Sequence, residues 1–318
     1  MRVRFWGTRG SIPVALTAAE IRRKVEHALL AAVDHGVCTR EQVRPFLEKQ
    51  LDFSVSHTYG GHSPCVELDA GGREITICDL GSGSRPLGHH ILSRTAGHPP
   101  TINVFMSHVH WDHIMGFPFF APAYVPGTTI RIHGCHDVLE HAFRLQQSRP
   151  CFPVDFSRLA AHIEFVRLQP GVTAEIDGFH VTPMLQRHTG DSYGYRFENG
   201  GKTVVYSTDS EHKLDDSAET QSFVDFFRDA DMIIFDAMYS FADAVSVKED
   251  WGHSSNIVGV ELAQMAGAKR LCLFHHEPAF DDERIAAVLR ETVRFEELTR
   301  TSQRLEVFAT YDGQEIEV

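Results

Sequence analysis

Residues 107–113 carry the clearest chemical signal of the chain and read Ser-His-Val-His-Trp-Asp-His. They follow an apolar stretch at 101–106 that predicts a strand, so they lie on the loop at its carboxyl end. Because side chains alternate along extended backbone, His108 and His110 face one side and can bind one metal ion. The chain then turns, so Asp112 and His113 can face a second ion. Such nitrogen and oxygen ligands, without cysteine, are typical of Zn²⁺, Mn²⁺ or Fe; the alternative is a polar surface loop.

The composition supports a metal site and excludes several classes of protein. The chain has 20 histidines among 318 residues and a formal net charge of −13. This acidic balance argues against a large nucleic-acid-binding face, which needs clustered Lys and Arg. With 42 % apolar and 23 % charged residues, the chain is not disordered, collagen-like or coiled-coil as a whole. No stretch approaches the ~18 apolar residues of a membrane span, and neither a signal peptide nor a Cys-x-x-Cys pair is present. We therefore expect a cytoplasmic protein with no membrane contact.

The first part of the chain predicts a strand at 2–6 followed by helices. Thr17 and Glu20 form a capping-box pattern that predicts a helix over 17–36. A second helix is expected over 39–50, kinked or shortened by Pro45. The apolar residues of the first helix recur at helical spacing: Ile21, Val25, Leu29, Ala32 and Val33. We expect this stripe to pack against the domain or to form a dimer contact, ahead of a role as a lid.

Strand patterns dominate the rest of the chain. Turn residues between alternating segments predict hairpins within 65–78, 174–182 and 193–206. Buried-type strands are expected at 231–235 and 270–274, a helix at 255–267, and a final hairpin from 304–309 and 314–318. The strand groups 2–133 and 163–318 suggest two packed sheets with helices outside. We interpret 1–318 as one domain with a helical insertion at 15–56.

The pattern His-x-His-x-Asp-His after an apolar strand resembles the signature of the metallo-β-lactamase superfamily. This resemblance implies an α/β fold, a four-layer αβ/βα sandwich with a site for two divalent metal ions at one sheet edge. Zn²⁺ is the first expectation, with Mn²⁺ or Fe as alternatives. The resemblance also implies later ligands, each after a strand: His188, Asp209 and His275, with His276 as ligand if the register slips by one. The implied first group is His108, His110 and His188, the second is Asp112, His113 and His275, and Asp209 bridges them.

Two further segments narrow the chemistry. Residues 251–255 read Trp-Gly-His-Ser-Ser and are similar to a loop of the tRNA 3′-processing endonuclease branch. That similarity implies that His253 lies near the scissile phosphate with Asp236 as its partner. The free N–H groups at the start of the following helix are in addition suited to bind a phosphate. The simpler interpretation is that Ser254 or Ser255 is a helix N-cap. Asp79, in an Asp-x-Gly-x-Gly segment, is either part of a glycine turn or a hydrogen-bond partner of a metal-binding histidine.

These features lead to an expected function. We expect a hydrolase of a small phosphodiester such as a cyclic nucleotide, with Asp112, His253 and Asp236 as candidate catalytic residues. The first alternative is a metal-dependent hydrolase of a carbonyl ester, thioester, lactone or β-lactam, although Asp209 replaces the cysteine of many true β-lactamases. The second is a non-hydrolytic di-iron or metal-binding protein. No basic glycine-rich arm for RNA is evident. His57 and His62 either line the pocket or lie on a solvated loop.

Overall fold

The computed structural model describes residues 1–96, 98–212, 217–239 and 252–318, so Trp251 lies outside the described residues. Within these ranges the strands form two seven-stranded sheets. The strands are β1 Arg2–Gly7, β2 Cys65–Asp69, β3 Ile75–Cys78, β4 Thr101–Phe105, β5 Thr129–Gly134, β6 His162–Arg167, β7 Ala174–Ile176, β8 Phe179–Gln186, β9 Ser192–Asn199, β10 Lys202–Ser207, β11 Met232–Asp236, β12 Arg270–Phe274, β13 Glu306–Ala309 and β14 Glu315–Glu317. The helices are α1 Ala18–Asp34, α2 Arg40–Lys49, α3 Phe53–Ser56, α4 Ser84–Arg94, α5 Trp111–Ile114, α6 Leu139–Gln146, α7 Ser217–Phe227, α8 Asn256–Met265 and α9 Asp282–Thr299.

Each sheet has an antiparallel half and a parallel half. The first has the order β14-β1-β2-β3-β4-β5-β6 and the second β13-β12-β11-β10-β9-β8-β7. Strands β3 to β6 run parallel, and so do strands β10 to β13. Because parallel strands end at the same edge of their sheet, the loops after β3 and β4 are neighbours, as are those after β10, β11 and β12.

The apolar side chains divide into three layers of core. Between the sheets, Phe5 and Phe105 of the first sheet share a cluster with Tyr206 and Phe274 of the second. The outer face of the first sheet packs against α4 and α6, and that of the second packs against α7, α8 and α9. This order of helices, sheet, sheet and helices confirms the predicted four-layer αβ/βα sandwich.

The predicted hairpins at 65–78, 174–182 and 193–206 are confirmed as antiparallel pairs, but the predicted C-terminal hairpin is wrong. Strand β13 pairs with β12 in parallel, and β14 pairs with β1 in antiparallel orientation. Each strand thus covers the open edge of a different sheet. Strand β6 likewise joins β5 in the first sheet, so the two predicted strand groups do not match the two sheets.

The N-terminal helices follow the local signals but not the expected packing. The capping box is present, since Glu20 N donates to Thr17 Oγ1 at 3.3 Å and Thr17 N donates to Glu20 Oε2 at 2.6 Å. Helix α2 continues through Pro45, so the proline does not end it. No residue of α1 is buried, so packing of its apolar stripe against the domain is wrong, and the alternative of a dimer contact stays a prediction. None of the described helices is both long and apolar enough to cross a bilayer.

Candidate metal centre

The loops after four strands bring the seven sequence-predicted ligands together. His108 and His110 follow β4, Asp112 and His113 lie on the short α5, and His188, Asp209 and His275 follow β8, β10 and β12. Among the described residues, five overlapping groups of three side chains are placed so that they could hold an ion, and two of these groups are His108, His110 and His188, and Asp112, His113 and His275. Within each group the potential ligand atoms lie within 4.8 Å of one another. The two groups are the same as those that the sequence resemblance implies.

Asp209 lies between the two groups with one carboxylate oxygen toward each. Its Oδ1 is 3.3 Å from His113 Nε2 and 3.2 Å from His275 Nε2. Its Oδ2 is 3.7 Å from His108 Nε2 and 3.9 Å from His188 Nε2. The Thr208 hydroxyl donates to Oδ1 at 2.6 Å. This carboxylate can therefore contact an ion in either group.

The structure places His275, and not His276, at the cluster. His275 Nε2 is 3.3 Å from His113 Nε2 and 3.5 Å from Asp112 Oδ2. His276 instead has its Nε2 2.9 Å from the carbonyl oxygen of Thr310, and burial lowers the pKa of His276 to about 3. The neutral ring of His276 therefore has a structural contact away from the cluster.

Three residues that shape the site have a left-handed backbone. Asp79, Asp209 and His275 have φ values of 59°, 49° and 59°, and they closely follow β3, β10 and β12. Residues other than glycine rarely adopt this conformation, and such strain is concentrated at functional sites. At Gly10 the chain lies so close to His275 that a Cβ would be 2.5 Å from its Nδ1. The backbone is therefore shaped to direct these side chains.

The electrostatics of the cluster fit a cation. His108 Nε2 and Asp112 Oδ2 are buried and have no hydrogen-bond partner among the described residues, which is costly unless another ligand binds them. Although burial favours the protonated acid, His113 holds the pKa of Asp112 well below its usual range. Burial acts in the same direction on Asp209, but His275 and His113 hold the pKa of Asp209 well below its usual range. Two buried carboxylates thus stay anionic among imidazoles, and this all-nitrogen and oxygen set fits Zn²⁺, Mn²⁺ or Fe.

A buried carboxylate fixes the orientation of His113. Asp79 Oδ2 lies 2.8 Å from His113 Nδ1 and accepts hydrogen bonds of 2.7 Å from both the Ser107 and Tyr206 hydroxyls. The contact supports the hydrogen-bonding interpretation of Asp79, because it leaves His113 Nε2 to face the cluster. Sequence reasoning missed Ser107 and Tyr206. Ser107 adjoins the motif, whereas Tyr206 is distant in sequence and carries no local signal.

His253 and Asp236 form a pair beside the cluster. His253 Nδ1 lies 2.8 Å from Asp236 Oδ2, and the ring stacks on His275 with centroids 5.2 Å apart. Although burial lowers it, the Asp236 carboxylate raises the pKa of His253 to about 9. Next to this pair, the carbonyl oxygen of Gly252 lies 2.8 Å from His188 Nδ1. A Cβ on Gly252, whose φ is +81°, would lie 2.5 Å from that nitrogen.

The start of helix α8 supports the capping interpretation. Ser255 is the N-cap and accepts from Val258 N at 3.4 Å, while Asn256 N donates to the carbonyl oxygen of Tyr239. Two of the N–H groups that would meet a phosphate are therefore already bonded.

His57 is exposed and stacks on Phe53, and the Nδ1 of the part-buried His62 lies 3.1 Å from Ser82 Oγ. Neither histidine belongs to a ligand group among the described residues.

Comparison with known proteins agrees with this geometry. The family described as "Beta-lactamase superfamily domain" matches residues 81–276. The "Ribonuclease Z" of Streptococcus sanguinis is 25 % identical over 269 residues, covering 69 % of this chain and 84 % of that protein. The "Probable metallo-hydrolase YhfI" of Bacillus subtilis is 27 % identical over 241 residues, covering 71 % and 86 %. The crystal structure of YhfI from Bacillus subtilis has a TM-score of 0.64 at 19 % identity, covering 99 % of this chain and 98 % of that one. The matched range contains all seven cluster residues.

Proposed function

The chain belongs to the beta-lactamase superfamily and is a metal-dependent hydrolase, and we propose that it cleaves a small phosphodiester such as a cyclic nucleotide. The observation that carries this proposal is the position of Asp209, with one oxygen toward each of two His/Asp groups. That arrangement supports a site for two ions. Two ions about 3.5–4 Å apart suit displacement at phosphorus, since they hold both the attacking and the leaving oxygen.

We assign the ligands according to the two groups. His108, His110 and His188 would hold one ion, Asp112, His113 and His275 the other, and Asp209 both. When bound, the divalent cations would lower the pKa of water and offset the phosphate charge. Asp79 keeps a proton on His113 Nδ1, so that Nε2 can act as a ligand. Asp112, whose Oδ2 has no hydrogen-bond partner among the described residues, is also the candidate acceptor of a proton from the attacking water.

His253 is the proposed proton donor to the leaving alcohol. Asp236 accepts the Nδ1 hydrogen bond and raises the pKa of His253 to about 9 against the effect of burial, which favours the doubly protonated ring. The Nε2 proton is then available to the leaving oxygen, while the Nδ1 proton stays with Asp236. A general acid of this kind contributes about 10²–10⁴-fold to the rate.

Charge and an exposed aromatic residue support a small nucleotide as the substrate. The relative named ribonuclease Z acts, by its name, on RNA, whereas this chain has a net charge of −13, which disfavours a long phosphate backbone. Trp111 stands between His110 and Asp112 in the sequence, and its side chain is 68 % exposed. An exposed indole that adjoins two ligands in the sequence offers a flat apolar face for a base, and such stacking is worth about 1–3 kcal/mol.

A substrate panel tests the proposal. The metal-reconstituted protein is assayed with bis-p-nitrophenyl phosphate, 2′,3′- and 3′,5′-cyclic nucleotides, precursor tRNA, nitrocefin, a lactone and a thioester. We expect turnover of the small phosphodiesters. Turnover of the carbonyl substrates alone, or no phosphodiester turnover with two metals bound, would contradict the proposal.

The variant His253→Ala tests the role of the dyad. We expect kcat on cyclic nucleotides to fall by about 10²–10⁴-fold, but to fall much less on bis-p-nitrophenyl phosphate, because p-nitrophenolate leaves without protonation. The metal content should not change. The matched control is His57→Ala, which removes an exposed histidine outside the site. Equal losses on both substrates would mean that His253 is not the acid.

A further inference from the structure

Ser254 makes two hydrogen bonds that the capping of helix α8 does not explain. Its side chain is buried, and the N-cap of α8 is the next residue, Ser255. The Ser254 hydroxyl donates to the carbonyl oxygen of Ser210 at 2.5 Å and accepts a hydrogen bond from His212 N at 3.2 Å. Ser210 and His212 belong to the loop that begins with Asp209. The hydroxyl therefore links the segment of the proposed proton donor to the loop of the proposed bridging ligand.

These bonds complete a ring of contacts among three loops. In the loop after β8, His188 Nδ1 lies 2.8 Å from the carbonyl oxygen of Gly252. The loop after β10 is bonded to the loop after β8, since Glu211 N donates to the carbonyl oxygen of Arg187 at 2.9 Å. Ser254 joins the loop after β10 to the segment that contains Gly252. Each of the three loops is therefore bonded to both of the others.

The ring of contacts sets the distance between the proton donor and the bridging carboxylate. A ring nitrogen of His253 lies within 4.8 Å of a carboxylate oxygen of Asp209. Asp236 Oδ2 accepts from Ser210 N at 3.3 Å, so Asp236 and Ser254 hold Ser210 at its N–H and at its carbonyl group. Because a catalytic group that is misplaced by about 1 Å can cost about 10²-fold in rate, this distance matters for proton transfer.

The loop of Asp209 has further supports that do not involve Ser254. The carbonyl oxygen of Thr208 accepts hydrogen bonds from Gln186 Nε2 at 2.7 Å and from Ser192 Oγ at 3.2 Å. Without the Ser254 hydroxyl, the loop keeps these bonds, whereas the neighbouring segment loses its bond to the loop. The proton donor is therefore expected to move more than the bridging carboxylate.

We propose that Ser254 is a positioning residue that holds His253 at the correct distance from Asp209 for proton transfer to the leaving oxygen. This inference rests on the proposed function, in which His253 is the acid. As the bond from phosphorus to the leaving oxygen breaks, that oxygen takes the Nε2 proton and the His253 ring becomes neutral. Ser254 itself neither gives nor takes a proton.

The variant Ser254→Ala of the metal-reconstituted protein tests this role. We expect kcat on cyclic nucleotides to fall by about 10–100-fold, with KM and metal content unchanged. The loss on bis-p-nitrophenyl phosphate should be much smaller, because p-nitrophenolate leaves without protonation. In the His253→Ala background, Ser254→Ala should have no further effect, because the group that it positions is absent. Ser254→Cys, which keeps a side chain of similar size but bonds more weakly, should give an intermediate loss.

The matched control is the neighbouring variant Ser255→Ala. Ser254 and Ser255 are equally buried, at 3 % exposure each, but Ser255 caps α8. Its loss should lower the melting temperature and leave the ratio of kcat on the two substrates unchanged. An unchanged kcat in Ser254→Ala, an equal loss on both substrates or a further loss in the His253→Ala background would overturn the positioning role.

Amide hydrogen exchange in the metal-free protein, followed by NMR, tests the link between the loops without any activity. The His212 amide should exchange at least about tenfold faster in Ser254→Ala than in the wild type, because it loses its acceptor. The Glu211 amide, which donates to Arg187, should be unaffected. An unchanged His212 rate would overturn the link. A wild type that turns over no phosphodiester would contradict the proposed function and this inference with it, whereas an active wild type with an unaffected Ser254→Ala variant contradicts this inference alone.

Discussion

The candidate metal centre and helix α1 depart in opposite directions from the usual distribution of side chains. The centre buries His108, Asp112 and Asp209, whereas α1 exposes Leu29 and Val33. Both departures are held in place by other side chains, through Asp79 and Thr208 at the centre and through the Lys24–Asp282 pair at the helix. A buried polar cluster that is held in place in this way favours a charged ligand, and an exposed apolar face that is held in place favours an apolar partner.

The largest expected effect is that of Asp209→Ala at the centre. Because Asp209 faces both ligand groups, its loss should lower kcat/KM by at least about 10³-fold and reduce the metal content measured by elemental analysis. The control is Asp229→Asn, since Asp229 has a similar left-handed φ of 54° but is exposed and outside the cluster. Full activity in Asp209→Ala would end the interpretation of this residue as a bridge.

A smaller effect is expected from the residues behind the ligands. Asp79→Asn should weaken metal binding by about 10–100-fold, because it disturbs the hydrogen bond that orients His113. Tyr206→Phe should weaken it less, since Ser107 still donates to Asp79. The matched control is Tyr195→Phe, which removes a buried hydroxyl bonded to the carbonyl oxygen of Met106. Competition with a chromophoric chelator measures the affinities, and equal affinities for all three variants and the wild type would contradict the assignment.

The smallest expected effect concerns a buried polar side chain that is not a predicted metal ligand. His212 lies outside the ligand groups and packs on Phe223 and Phe235, at ring distances of 4.0 and 5.3 Å. Burial lowers its pKa to about 3, whereas the unfolded chain titrates near 6.5. Between these values only the unfolded state binds the proton, so the free energy of unfolding falls as pH falls. From pH 7 to pH 5 the loss through this residue is about 2 kcal/mol.

The variant His212→Phe should remove that part of the acid sensitivity and leave metal content unchanged. Urea unfolding of both proteins at pH 7 and pH 5, with a chelator present, gives the two differences to compare. If the variant loses as much stability as the wild type between these pH values, the conclusion that His212 is neutral in the folded protein is wrong.

The site was largely predictable from the sequence because its signals are local. The 107–113 motif needs only a strand and a turn to place His108, His110, Asp112 and His113, and the later ligands each follow a recognisable strand. The contacts that complete the site were not predictable to the same degree. The choice of His275 over His276 depends on a left-handed residue at the end of β12, and the bond from Tyr206 to Asp79 depends on the pairing of two sheets.

The errors in the fold have a similar cause. Helical spacing shows that α1 has an apolar side, but it does not show whether that side packs against the rest of the chain. The Lys24–Asp282 ion pair sets the orientation of the helix, and it joins residues far apart in sequence. The segments at 304–309 and 314–318 have strand character, yet their partners are the open edges beside β12 and β1. Local patterns therefore predict elements and motifs, while the choice of partner depends on the assembled sheets.

The most direct test of the central claim is the position of the metal ions. Crystals of the metal-reconstituted protein, measured with anomalous scattering at the metal absorption edge, should show two peaks per chain. We predict one peak among His108, His110 and His188, a second among Asp112, His113 and His275, and Asp209 between them. A single peak, no peak, or ions bound away from these side chains would contradict the account.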